Sequence, residues 1–100
     1  MITIKTSTIL KDFKGQPLKS GENDLTIGEV ISTVLAGKST NPTLSWVFGK
    51  KFATEKAVDL KAEDVVFIKE QIEKDDNWFA VVKGQVIELL DSPTPKNEDK

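Results

Sequence analysis

The stretch Leu25-Thr26-Ile27-Gly28-Glu29-Val30-Ile31-Ser32-Thr33-Val34-Leu35-Ala36-Gly37 constrains the fold more than any other part of the chain. Ile27, Val30, Ile31, Val34 and Leu35 recur at i, i+3, i+4, i+7 and i+8, which lays one apolar stripe along an α-helix. Both ends are marked. Thr26 followed by Glu29 spells a capping box: Thr26 takes a first-turn amide, and the Glu29 carboxylate returns to the Thr26 amide. Leu25 is placed to staple onto Val30, and Gly37 to close the helix in the left-handed conformation. A helix with one dry face requires the rest of the chain to pack on it.

One hundred residues, 38% hydrophobic and 30% charged, fit one domain with a modest core that needs no disulfide or metal. No apolar run approaches the length of a membrane span, so no membrane association is expected. Met1-Ile2-Thr3-Ile4-Lys5-Thr6 lacks the basic start and long apolar run of a signal peptide. With no cysteine, a cytoplasmic protein is the simplest expectation.

The missing residue types narrow function further. There is no His, Cys or Tyr, and all 14 basic residues are Lys. Without His, the commonest general acid–base group and neutral metal ligand are gone. Without Cys as well, structural zinc is excluded. Without Arg there is no planar fork to grip phosphate or guanine in two places, and a net charge of −2 gives no pull toward nucleic acid. No cofactor and no metal is expected.

Ahead of the helix, Ile2-Thr3-Ile4-Lys5 alternates, and Ile9-Leu10 lead into Lys11-Asp12-Phe13-Lys14-Gly15-Gln16-Pro17-Leu18. This pattern suggests two short strands with a turn near Lys14-Gly15, where Gly supplies positive φ. Residues 19–24 read as a polar connector. Beyond Gly37, Asn41 as N-cap and Pro42 at the first helical position open a second helix to about Thr54, with Leu44, Val47, Phe48, Lys51 and Phe52 along its stripe. Ala57-Val58-Asp59-Leu60 is an extended connector or a short strand completing the sheet. A third helix is predicted from near Lys61 to Lys74, its face made by Ala62, Val65, Val66, Ile68 and Ile72. A fourth begins near Trp78, capped by Asp76 or Asn77, with Phe79, Val82, Val86, Leu89 and Leu90 on its stripe. Residues 92–100 hold no large apolar side chain and read as a disordered tail after a single globular domain, 1–91. The expected fold is α+β: an N-terminal β-hairpin packed on a bundle of about four short helices.

Each constellation with a chemical reading has a plainer one beside it. Glu70, Glu73, Asp75 and Asp76 form the densest acidic patch, but the spacing matches no calcium loop and Lys69 and Lys74 intrude, so a solvated helix end is the better description. Helices three and four invite a helix-turn-helix reading. The entering end, Asp75-Asp76-Asn77-Trp78-Phe79, presents negative charge and bulk where phosphate donors are needed. Ser32 and Ser45 sit in no nucleophile elbow, and so short a chain leaves little room for a catalytic cleft beside its core. An enzyme is not expected. The aromatics on the last three helices are the remaining signal. Trp78–Phe79 and Phe67–Ile68 place two large groups about 100° apart on a helix. Either this makes a wide buried face, or some of them are exposed anchors for a partner. Trp46, Trp78 and Phe79 are the candidate protein-binding residues.

Four segments carry a resemblance: 9–18 with its L-K-D-x-x-G-x-P-L start, 25–31 with L-T-x-G-E-V, Val58-Asp59-Leu60-Lys61-Ala62-Glu63-Asp64, and 84–90 with G-Q-V-x-E-L-L. In order and spacing these resemble a set of small proteins of tailed bacteriophages and prophages, with residues 38–57 outside the pattern. Those proteins have no assigned activity, so no functional residue is carried over. The resemblance implies a phage or prophage origin and the bacterial cytoplasm. The expectation is a non-enzymatic protein-interaction module, monomer or homodimer, that binds a host or phage protein in an anti-defence, host-takeover or assembly role. The alternatives are a small DNA-binding transcriptional regulator using helices 61–74 and 78–90, and a self-assembling virion structural component.

Overall fold

The computed structural model describes residues 2–37 and 40–91; the predicted tail, 92–100, lies outside them. In chain order the elements are β1 (Ile2–Lys5), β2 (Lys19–Ser20), β3 (Asn23–Asp24), α1 (Ile27–Ala36), α2 (Pro42–Thr54), β4 (Ala57–Leu60), α3 (Ala62–Lys74) and α4 (Ala80–Asp91). The chain is α+β.

α1 is the centre of the packing. All five residues of its stripe are buried, and they join Phe48 and Phe52 of α2, Ile68 and Ile72 of α3, and Val82, Val86 and Leu90 of α4 in one core. At its first turn every free amide has a partner. Ile27 N–H donates to Thr8 C=O at 2.9 Å, Gly28 N–H to Thr6 C=O at 3.0 Å, and Glu29 N–H to Thr26 Oγ1 at 3.2 Å. The reciprocal arm of the capping box is not made, because the Glu29 carboxylate accepts from the Ser20 hydroxyl instead. Gly28 is fixed by close approach: a Cβ there would lie 2.8 Å from Thr6 Cβ and 2.9 Å from Phe52 C=O. Gly37 is not left-handed. Its φ is −87°, outside the left-handed region expected, and its N–H closes the helix on Val34 C=O at 3.1 Å.

The strands pair differently from their sequence order. β1 lies antiparallel to β4, with Ile2 opposite Leu60 and Ile4 opposite Val58, so that Ala57–Leu60 is the strand that completes the sheet. Ile4, Val58 and Leu60 turn inward, while Thr3 and Asp59 hydrogen-bond on the outer face. The alternation in residues 2–5 therefore belongs to a strand whose partner comes from after α2.

The turn at Lys14-Gly15 is present, with Gly15 at φ 85° and a single bridge between Lys11 and Pro17. The connector 19–24 forms a small hairpin of its own, β2 on β3. Between these turns the chain is held by a ring of three leucines. Leu10 N–H donates to Leu25 C=O at 2.9 Å, Leu25 N–H to Leu18 C=O at 2.7 Å, and Leu18 N–H to Leu10 C=O at 2.9 Å. Their backbone groups satisfy one another while the side chains of Leu10 and Leu25 enter the core, which lets an irregular segment cross it without orphaned amides.

The helices after α1 follow the sequence with local shifts. Asn41 caps α2, its side chain accepting from Leu44 N–H at 3.1 Å. The buried line of α2 is Ser45, Phe48 and Phe52, so Val47 is more exposed than its assigned place on the stripe implied. In α3 the Asp64 carboxylate accepts from Lys61 N–H at 2.9 Å. Val66 is 68% exposed, not part of the buried face; two residues from Ile68, it lies on the far side of the helix. The buried polar residue of that face is Gln71. α4 starts at Ala80, later than predicted, and neither Asp76 nor Asn77 caps it. The Asp75 carboxylate takes the amides of Asn77 at 2.9 Å and Trp78 at 3.1 Å. It holds them in a turn, which delays the helix.

Candidate interaction surface

Two grooves flank the last turn of α1 and share Thr33 and Gly37. The first, about 930 Å³, runs from Val34 to the C-terminal end of α3 and is closed by the turn carrying Asp75, Asp76 and Trp78. The second, about 690 Å³, lies between α1 and α2 and is lined by Leu35, Ala36, Pro42, Gly49 and Trp46. Small side chains make the second groove. A Cβ on Gly49 would come 3.7 Å from Leu35 Cβ, so the two helices approach closely and leave Trp46 standing as a wall.

Trp46 is 66% exposed. Lys50, one turn on, places its Nζ 4.9 Å from the ring centroid, a cation–π contact that restrains the indole. Trp78 is partly buried and packs against the core from the approach to α4. Its backbone is fixed by Asp75, whose own carbonyl receives Lys83 Nζ. Lys83 also reaches Glu73 C=O at 3.3 Å, so the basic residue of α4 is folded onto the turn. Phe79 is 79% exposed, and its carbonyl starts α4 by accepting from the amides of Val82 and Lys83.

The three candidates from the sequence are thus not one cluster. Trp46 and Trp78 each line one of two adjoining grooves, and Phe79 lines neither. Gln71 lies in the floor of the first groove, its amide donating to Thr40 Oγ1 at 2.9 Å and accepting from Thr40 N–H at 3.3 Å. Of the acidic patch, Glu70 faces Lys74 at 3.6 Å and Asp75 is turned onto backbone amides. Among the described residues no group of three or more carboxylates converges as a cation site.

Sequence reasoning missed Phe13, at 93% the most exposed large apolar side chain among the described residues. The signal was available, since a Phe beside the Lys14-Gly15 turn has little chance of reaching a core behind it. No family model, curated protein or solved structure matches this chain. Among the described residues no helix is long and apolar enough to cross a membrane.

Proposed function

We propose that this chain is a non-enzymatic interaction module that binds a host or phage protein through the face carrying Trp46 and Trp78. The observation that supports it is the restrained, two-thirds-exposed Trp46 at the wall of a groove that adjoins the Trp78 groove. A large aromatic held in water gains nothing for the monomer, and tryptophans beside preformed depressions are the side chains that dominate binding energy at protein interfaces. The residue inventory points the same way, offering anchors and a charged rim but no His, Cys or Arg. The resemblance to small phage and prophage proteins supports a role inside a bacterium, in countering a defence, redirecting host machinery or assisting assembly.

The test is capture from bacterial lysate with the parent protein, Trp46→Ala and Trp78→Phe, each checked for fold by circular dichroism. A prey bound by the parent and weakened about tenfold or more by Trp46→Ala supports the reading. A prey indifferent to both substitutions, or no prey at all, contradicts it.

A further inference from the structure

Phe13 is presented by a turn built to hold still. Asp12 Oδ1 accepts from Lys14 N–H at 2.9 Å and Gln16 N–H at 3.0 Å, Asp12 N–H donates to Gln16 C=O at 2.9 Å, and Gly15 N–H donates to Asp12 C=O at 3.0 Å. The base of the turn is tied to α4 through Gln85 and Lys11. Such a loop has already lost the freedom that a flexible one would lose on docking. Its apex carries Phe13 between exposed Lys11 and Lys14, neither of which has an ion-pair partner among the described residues. The one acidic side chain there, Asp12, is directed at backbone amides.

The Trp78 groove has the opposite pattern. Val34 and Trp78 give it apolar walls, and its volume of about 930 Å³ is several times that of a phenyl ring. Asp76 stands on its rim, and Glu73 is exposed on the last turn of α3; neither is ion-paired among the described residues. Lys74, the basic residue of the lining among the described residues, faces Glu70. One surface offers an aromatic flanked by cations, and the other an aromatic-walled groove flanked by anions.

We propose that these surfaces meet between two copies of the chain, with Phe13 of one seated in the Trp78 groove of the other and Lys14 facing Asp76. The contact joins two different patches. It therefore closes into a reciprocal dimer if the rotation permits and continues as a chain of copies if it does not. So small a contact gives weak association, in the micromolar to millimolar range, that loosens with salt. The inference deepens the interaction reading by naming one occupant of one groove. It is measured on purified protein alone, so its failure is distinct from failure to capture a different protein.

Sedimentation of the full chain at low ionic strength, from about 10 µM to about 1 mM, tests it. The parent's weight-average mass is expected to rise with concentration, and Phe13→Ser to raise the dissociation constant at least about tenfold. Phe13 is exposed, so that variant keeps its fold. Lys14→Glu and Asp76→Lys are each expected to weaken association, and mixing the two variants is expected to restore it, because each supplies the surface that the other lacks. A parent that stays monomeric, a Phe13→Ser variant that associates like the parent, or a mixture no better than either variant overturns the proposal.

Discussion

Gln85 grips the peptide backbone of Lys11 from both sides: its Oε1 accepts from Lys11 N–H at 2.8 Å, and its Nε2 donates to Lys11 C=O. A side-chain amide here does what a neighbouring strand would do, and it ties the start of the chain to the last helix. Nε2 also donates to Val81 C=O at 3.1 Å, which fixes the amide's orientation on α4.

Gln85→Ala is expected to free the 9–18 segment from α4 and lower stability by about 0.5–1.5 kcal/mol, the net value of a hydrogen-bonded amide at a half-exposed site. Urea denaturation measures the loss, and faster hydrogen exchange at the Lys11 amide locates it. Gln85→Glu should cost at least as much, since a carboxylate has no donor for Lys11 C=O.

Gly28 and Gly84 both lie in helices, and alanine should act on them in opposite directions. At Gly28 the added Cβ would meet Thr6 and the Phe52 carbonyl, backbone that cannot step aside. A cost of about 1–3 kcal/mol is expected, despite alanine's helix propensity. At Gly84 nothing lies within 4 Å, so alanine should gain about 0.5–1 kcal/mol. Thermal or denaturant midpoints of the two variants decide it.

Asp75→Ala should loosen the turn that sets Trp78. The carboxylate serves the amides of Asn77 and Trp78, and its loss should cost about 1 kcal/mol and weaken any ligand of the Trp78 groove more than one of the Trp46 groove. Comparing the indole N–H signals of Trp46 and Trp78 in the variant tests this. The Trp78 signal should shift and broaden while that of Trp46 holds its position.

Duplex DNA should not bind. The chain is net negative, and Lys83 is engaged with carbonyls of the preceding turn. No retardation is expected even at low salt, where nonspecific electrostatic binding is strongest. Binding that weakens steeply as salt is added would instead favour the regulator using α3 and α4.

The legible parts of the fold were those set by local chemistry. The α1 stripe, the Thr26 and Asn41 caps and the turn at Gly15 are decided by residues within a few positions of one another, and each is present. What depends on distant partners was not legible. The β1–β4 pairing joins residues that α1 and α2 separate, and the Glu29 carboxylate was diverted by Ser20 across a hairpin that sequence reads only as polar. Val66 was misplaced because an apolar residue beside Val65 reads as core until the angle to Ile68 is counted. The candidate surface was half visible. Composition marked Trp46, Trp78 and Phe79, but that two of them border adjoining grooves follows from how α1 ends between α2 and α3.

The chain contains only two tryptophans, so their indole N–H resonances report on the two grooves separately. The most direct test of the interaction surface is to record both signals while a captured partner is titrated in. Both should shift or broaden, while amides of the buried strand residues Val58 and Leu60 stay unperturbed. Indole signals that remain unchanged at saturation would mean that the partner binds elsewhere and that this face is not the binding site.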